Sequence, residues 1–362
     1  MVNIAILGFG VIGSGVADII SQNYELIKKH VLDDINIKYI VDLRDFKGHK
    51  LESKFTKDFT VVLQDPEVSV VIEMIGGSHP AYDFSLAALN AGKHVITSNK
   101  EVVANFGHEL IAAAEKNNVK YMFEASVGGG IPIIRPLSSS LVGNEIFEIT
   151  GILNGTSNYI LTQMECHNKS LEEALIEAQQ KGFAEANPSA DIDGIDTCRK
   201  ICILAGLAFG KLIPPSFISV RGIRDITPED IEEANADNTV IRLIGRAVKL
   251  DDGKIYISVA PYKVRKDNPL ANINDVYNGI LVRGDTFGDV MFYGKGAGSL
   301  PTASAVLSDL IEIIKSKDNT ANVKLKQMNW IYDTDGVDYE AVLPLDKSED
   351  TGNFLGKELE KK

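Results

Sequence analysis

The sequence predicts an α/β fold, a doubly wound parallel sheet followed by a second, α+β domain. Three observations carry this expectation. An apolar run rich in β-branched residues, Val2–Leu7, passes directly into Gly8-Phe9-Gly10-Val11-Ile12-Gly13. Short apolar runs then alternate with stretches of helical spacing as far as Phe123, which is the pattern of a parallel sheet covered on both faces. From about residue 149 the alternation stops, and strand-length runs separated by turn residues take its place.

The first unit of the pattern is the most informative. Residues 16–29 have helical spacing and Ile35–Val41 returns as a strand, so G-x-G-x-x-G occupies the first turn of a βαβ unit. In a Rossmann-type sheet the first glycine allows the tight turn. The second lets the backbone approach a pyrophosphate, and the third lets the helix pack closely on the strand. Gly8, Gly10, Val11, Ile12 and Gly13 are therefore candidate contacts to NAD or NADP. The residues after the second strand, Asp42-Leu43-Arg44-Asp45, should meet the adenosine ribose. An acid there suits the free 2′-hydroxyl of NAD, and an arginine suits the 2′-phosphate of NADP. Both are present, and Arg44 with Lys47 tilts the balance slightly toward NADP.

Strands are expected at 68–75, 93–97 and 120–123, with helices at 81–91 and 102–116 between them. Ligands bind at the carboxyl ends of such strands. Ser98-Asn99-Lys100 follows one of those ends, so Lys100 is either a cofactor or substrate contact or a solvated loop lysine. Residues 124–136, EASVGGGIPIIRP, break the pattern with three consecutive glycines and Pro132. Such backbone with a preceding acid can hold a hard cation, or it can be a close turn at a domain crossover.

Gly151 to Ile160, GILNGTSNYI, is a strand end, a polar turn and a helix start. Asn154 or Thr156 can cap that helix, or the amides there can hold a substrate carboxylate. An amphipathic helix at 171–181, with Ser170 as cap and Gly182 as stop, leads into a stretch where Glu185, Asp191, Asp193 and Asp196 crowd around Pro188 and Gly194. That punctuation predicts a loop, with a helix from about Asp196 onward. Asp196 and Lys200 are four apart and share a face of it. They are a catalytic acid/base pair or an ordinary surface ion pair. Cys198 and Cys202 flank Lys200 at i,i+4, but with no accompanying His or Cys pair they are expected to be core residues.

Further on, Thr227-Pro228 opens a capped helix, and Asp251-Asp252-Gly253 joins two strands at 240–250 and 254–264. Another hairpin is expected over 280–293. Exposed antiparallel strands of this kind commonly pair across a two-fold axis, so a homodimer is expected. Gly294 to Thr302 is a second glycine loop, opening a helix at 303–317 expected to return to the first domain. The expected domains are 1–135 with 296–317 returning to it, 136–295 for substrate binding and dimerisation, and a polar tail at 318–362.

Composition bounds the function. A net charge of -13 over 362 residues disfavours nucleic acid and anionic membrane surfaces as partners. No apolar run is long enough to span a bilayer, and VNIAILGFGVIG lacks the basic leader of a signal peptide. Three cysteines, an odd number, suit a reducing cytoplasm.

Taken together, GFGVIG, SNK ending at Lys100, EASVGGGIPII, GILNGTSNYI, GFAEANPSADIDGIDTCRK and GKGAGSLPTASAV, in that order, resemble the homoserine dehydrogenase family over nearly the whole chain to about Lys317. The resemblance implies NAD(P)-dependent interconversion of L-homoserine and L-aspartate 4-semialdehyde, in threonine and methionine biosynthesis. It implies that Lys200 is the catalytic lysine, with Asp196 one turn before it, and that Lys100 is a second active-site lysine. It makes Gly155, Thr156, Gly182, Glu185 and Asp191 substrate contacts and Gly298 a cofactor contact. Glu124, Val127, Gly129 and Ile131 resemble a site for a monovalent cation such as sodium. The chain departs from the usual Ala-Asp-Pro at Ala186-Asn187-Pro188, which weakens any role for residue 187. The tail is too short for the regulatory domain of some members, so threonine feedback through such a domain is not expected. Two rivals remain at this stage. Aspartate-semialdehyde dehydrogenase needs a cysteine nucleophile, and none of the three lies on an accessible turn of the first domain. A non-catalytic NAD(P)-binding redox sensor would keep GFGVIG without needing the Glu185 to Lys200 cluster.

Overall fold

The computed structural model describes residues 1–31, 33–210, 213–250 and 253–318. Asp251 and Asp252 of the expected turn, and the tail from residue 319, lie outside the described residues. Among the described residues the chain forms two compact units, the first from Met1–Arg135 with residues 297–318, the second from Pro136 to Gly296.

The first unit alternates as the apolar periodicity requires: β1 (Val2–Leu7), α1 (Val11–Gln22), α2 (Tyr24–Val31), β2 (Ile35–Val41), β3 (Phe55–Thr56), α3 (Thr60–Gln64), β4 (Val68–Glu73), α4 (Ala81–Asn90), β5 (His94–Thr97), α5 (Lys100–Lys116) and β6 (Tyr121–Met122). All pairings are parallel and the strand order is β3-β2-β1-β4-β5-β6, the doubly wound arrangement that reverses direction between β1 and β4. Gly8 sits at a φ of +87°, and a Cβ there would meet the Met74 carbonyl oxygen at 2.8 Å. A Cβ at Gly13 would lie 2.1 Å from the Gly8 carbonyl oxygen, whereas one at Gly10 would point into open space. Gly8 and Gly13 are thus required by the tight turn and by its close approach to the start of α1, while Gly10 leaves the space beside the loop open.

The expected single helix over 16–29 is two helices. The first begins at Val11, directly after the loop, and ends where the Asn23 amide closes onto Ile19. Asparagine competes with its own backbone for hydrogen bonds, which ends α1 there. Strand β4 stops at Glu73 rather than continuing to residue 75: the Met74 amide makes the last bond to β1, at 2.8 Å to the Leu7 carbonyl, and the chain then turns past Gly8.

The second unit comprises β7 (Ile146–Ile152), α6 (Gly155–His167), α7 (Leu171–Gln180), α8 (Ser189–Ile192), α9 (Ile195–Phe209), β8 (Ser219–Val220), α10 (Pro228–Ala236), β9 (Thr239–Lys249), β10 (Ile255–Arg265), β11 (Tyr277–Gly284) and β12 (Gly288–Lys295). Its sheet runs β12-β11-β7-β9-β10-β8. The ladders are antiparallel apart from β8, which joins the edge in parallel, so the sheet is mixed rather than purely antiparallel. The second hairpin is longer than the 280–293 apolar pattern suggests, since its ladder continues through polar pairs such as Arg283 opposite Asp289. The stretch 182–194 is not all loop: Pro188 fixes the backbone for the single turn α8. Helix α9 lies on the sheet at Gly245 of β9, where a Cβ would meet the Thr197 Cγ2 at 3.0 Å and the Ile201 Cβ at 3.2 Å.

The last described element, α11 (Ser299–Asp318), belongs to the first unit and packs on α1 and α2. Its Ala303, Val306, Leu310 and Ile313 complete the apolar core made by Ile4, Ile6, Val16 and Ile20. It begins four residues earlier than the apolar spacing indicates, because Pro301 is tolerated in a first turn where no amide partner is needed.

Candidate active site

In the first unit, the glycine loop presents the start of α1 with no side-chain cap on its N-terminal amides. Val11 at that start is exposed and Ile12 packs against the core. Gly298 precedes Ser299, whose hydroxyl donates to the Val11 carbonyl oxygen at 2.6 Å, so the second glycine loop is tied to the first. At the end of β2, the Asp42 carboxylate accepts from the Phe9 amide at 2.8 Å. It also pairs bidentately with the Arg44 guanidinium, at 2.8 Å and 3.0 Å. That guanidinium, with the two backbone amides that also bond to it, holds the Asp42 carboxyl well below the usual carboxylate range. Arg44 lies over the Phe46 ring and shares its cleft with Lys47 and Lys57.

Lys100 is the first residue of α5, two residues earlier than the helix was expected to begin. Asn99 caps that helix by accepting from the Glu101 and Val102 amides, both at 3.2 Å. Asparagine at this position is among the strongest N-caps.

At the crossover, the Glu124 carboxylate is fully engaged. It accepts from the amides of Ile133, Ile134 and Arg135 at 2.6, 2.8 and 2.7 Å. The Glu124 amide donates to the buried Asp309 carboxylate of α11 at 2.9 Å, and Arg135 pairs with Asp309 at 3.0 Å. Burial, reinforced by the charge of Glu124, raises the Asp309 carboxyl to about 7. Val127 and Ile131 are buried, and Gly129 takes a φ of +57°. Among the described residues no group of three or more His, Cys, Asp or Glu side chains could hold a metal ion, so oxygen ligands at 124–131 would come from the backbone.

The second unit brings two of the four acids, Asp191 and Asp196, together with Lys200, while Asp193 pairs with Arg224 at the surface. Asp196 and Lys200 lie one turn apart on α9, both buried, with Lys200 Nζ 2.8 Å from Asp196 Oδ2. The same ammonium donates to the Leu153 carbonyl at 2.7 Å. Burial removes this pair from the class of surface ion pairs, and breaking a pair of this kind costs several kcal/mol rather than a few tenths. Asn154 joins Asp191 to it: its Nδ2 donates to Asp191 Oδ1 at 2.7 Å and to Asp196 Oδ2 at 2.9 Å. Its Oδ1 caps α6 through the Ser157 amide at 2.8 Å. Asn154 is therefore both the helix cap expected from the sequence and a bridge between carboxylates that the sequence did not reveal.

Thr156 does not cap. Its hydroxyl donates to the Phe183 carbonyl at 2.6 Å, which draws the turn after α7 toward the start of α6. A Cβ at Gly155 would lie 2.7 Å from the Val276 carbonyl oxygen, so only glycine allows that helix start to sit so close. Gly182 and Glu185 are exposed on the turn after α7, with Gly182 at a φ of +72°. Cys198 and Cys202 are free and buried in the core, and the Cys198 thiol donates to the Pro215 carbonyl at 3.7 Å.

Residues 8–124 match the family model of the homoserine dehydrogenase NAD-binding domain, and residues 132–311 match the family model of homoserine dehydrogenase. A homoserine dehydrogenase from Synechocystis sp. is 43% identical over 319 residues, 86% of this chain and 73% of that protein. The crystal structure of a homoserine dehydrogenase from Thiobacillus denitrificans superposes with a TM-score of 0.83 at 37% identity, covering 88% of this chain and 74% of that one. A hyperthermophilic archaeal homoserine dehydrogenase in complex with NADPH superposes with a TM-score of 0.73 at 31% identity, covering 86% of this chain and 97% of that one.

Proposed function

The chain belongs to the homoserine dehydrogenase family, NAD(P)-dependent oxidoreductases acting on the alcohol of homoserine, and on that premise we propose how its own residues carry out the reaction. The observation that carries the reading is the buried Lys200 ammonium held between Asp196 and the Leu153 carbonyl. In the reducing direction Lys200 donates its proton to the aldehyde oxygen of L-aspartate 4-semialdehyde. In the oxidising direction it recovers that proton from the hydroxyl of L-homoserine. Asp196 keeps the ammonium charge-balanced and fixes its rotamer, which suits the reducing direction, where Lys200 works from its charged form as a donor; the oxidising direction starts from its neutral amine. The nicotinamide, when bound, accepts or returns hydride at the hydroxyl-bearing carbon.

Glu185 and Asp191 suit the substrate ammonium, while the amides of Gly155 and Thr156 at the start of α6 suit its carboxylate. Lys100 is the second active-site lysine. Gly182 shapes the turn that carries Glu185. The loop Gly8–Gly13 with Gly298 receives the pyrophosphate. NADP is the preferred cofactor, because Arg44 and Lys47 line the cleft at the end of β2 and Arg44 masks the Asp42 carboxylate; Lys57 beside them is paired with Asp45. The archaeal relative solved with NADPH supports that preference. A monovalent cation is held by the backbone carbonyls of Glu124, Val127, Gly129 and Ile131, since the Glu124 carboxylate is committed to three amides. A homodimer forms through the mixed sheet, whose edge strand β12 exposes Met291 and Tyr293. The enzyme works in the cytoplasm, in keeping with three free cysteines. No described helix is long and apolar enough to cross a membrane.

Reduction of NADP and of NAD in the presence of L-homoserine, followed in parallel at 340 nm, tests the reading. A homoserine-dependent signal, larger with NADP, supports it. Phosphate-dependent oxidation of aspartate semialdehyde in its place would mark the rival dehydrogenase, and no turnover with either cofactor would mark a sensor.

A further inference from the structure

Glu73 ends β4 and is completely buried, yet it has no part in the chemistry above. Its two oxygens hold two different turns at the carboxyl edge of the parallel sheet. Oε1 accepts from the Ile75 amide at 2.5 Å, in the turn after β4. Oε2 accepts from the Thr97 hydroxyl at 2.6 Å, at the end of the neighbouring strand β5. Thr97 Oγ1 in turn accepts from the Asn99 amide at 2.9 Å. The Asn99 side chain returns to the first turn, donating to the carbonyls of Ile75 at 2.9 Å and Gly77 at 2.7 Å. The result is a closed ring of hydrogen bonds, Glu73 to Thr97 to Asn99 to Ile75 and back to Glu73. Asn99 is also the cap of α5, and Lys100 is that helix's first residue.

A buried carboxylate costs several kcal/mol of lost hydration, and a simple structural filler in a parallel sheet would be apolar. Leu7, the residue opposite Glu73 on β1, is of that kind. The ring places its cost where two ligand-facing turns must hold a fixed relation to each other. Neither turn can shift without breaking a bond to Glu73 or Asn99, so the backbone that carries Lys100 is preorganised before substrate arrives.

We propose that Glu73 is a positioning residue that sets Lys100 for the reaction, acting through Thr97 and Asn99. This rests on the reading of Lys100 as an active-site lysine. Glu73→Gln keeps an acceptor for the Ile75 amide but faces Thr97 with an NH2 group, which leaves the threonine proton without an acceptor. Thr97→Val removes the same link from its other end with no change of shape, and Thr97→Ser restores the hydroxyl.

The test is a double-mutant cycle on kcat with Lys100→Ala, with melting temperature and NADP binding measured alongside. In the parent enzyme, Glu73→Gln and Thr97→Val each lower kcat by roughly tenfold, with a smaller effect on the KM for NADP, and Thr97→Ser recovers most of the loss. In the Lys100→Ala background both substitutions become silent, within about twofold. An equal tenfold loss in both backgrounds overturns the proposal, because Glu73 would then act on something other than Lys100. Parent-level kcat in both Glu73→Gln and Thr97→Val also overturns it. If Lys100→Ala itself retains parent activity, the reading of Lys100 falls, and this proposal with it. If Glu73→Gln does not fold, the Thr97 pair decides alone.

Discussion

Replacing Asn154 by aspartate should convert a bridge between carboxylates into a cluster of three. The substitution is nearly isosteric and aspartate is as good an N-cap as asparagine, so α6 keeps its start. What changes is the donor. Asn154 Nδ2 lies 2.7 Å from Asp191 Oδ1 and 2.9 Å from Asp196 Oδ2. Losing two hydrogen bonds to charged groups costs about 1.5–3 kcal/mol each. A third carboxylate at about 3 Å adds repulsion of roughly 5 kcal/mol per neighbour at an effective dielectric of about 20. The cluster relieves this by taking up one proton, and each pH unit changes the cost of that proton by about 1.4 kcal/mol. Between pH 9 and pH 6 the difference is about 4 kcal/mol, most of one repulsion. The protonated form can donate to one of its neighbours and partly restores the bridge. In Asn154→Asp, kcat/KM for homoserine should therefore fall by roughly a hundredfold or more at pH 9 and recover to within about tenfold of the parent at pH 6. The assay is NADP reduction across that range, with thermal melts at each pH to exclude unfolding. A loss independent of pH, or parent-level activity at pH 9, would refute the claim that Asn154 balances the two acids beside Lys200.

Arg44→Ala removes the guanidinium that neutralises Asp42. It should raise the KM for NADP by roughly tenfold while leaving or improving that for NAD, measured in parallel titrations. A uniform loss with both cofactors would contradict the assignment of Arg44 to a 2′-phosphate. Asp309 gives a stability prediction with a definite sign. Its carboxyl is raised by burial to about 7 from an ordinary 3.8, so the native state binds a proton that the unfolded chain has lost. That contribution is present below pH 4 and disappears as the pH rises through 7, a change on the order of 4 kcal/mol. Asp309→Asn lacks this titration and loses one hydrogen bond at every pH. Its melting temperature should lie below the parent's at pH 5 and close on it, or cross it, by pH 8. Parallel curves would show that the Asp309 carboxyl does not titrate in this window.

The βαβ unit was legible because its signal is local: an apolar strand, three glycines and a helical spacing all lie within a few residues of one another. The Asp196 and Lys200 pairing was legible for the same reason, being four apart on one helix. Their burial was not, because it depends on Gly245 of β9 letting α9 down onto the sheet. The break at Asn23 and the early starts of α5 and α11 were missed because apolar periodicity fades at polar helix ends, where caps decide the boundary. Asn154 and Glu73 were the larger omissions. Asn154 reaches partners 37 and 42 residues away, and Glu73 is bonded by Thr97, 24 residues on. Nothing in the spacing of a chain announces such bonds. A clue lay in Glu73 itself, a lone acid in VSVVIEMI, where an apolar strand tolerates a carboxylate only if something binds it.

The reading centres on Lys200 as the group that exchanges the substrate's proton. The most direct measurement is the homoserine-dependent turnover of Lys200→Ala beside the parent, with NADP binding followed by fluorescence titration. Turnover reduced by roughly a hundredfold or more with NADP affinity unchanged is the expected result. Near-parent turnover in a folded, cofactor-binding Lys200→Ala enzyme would contradict it.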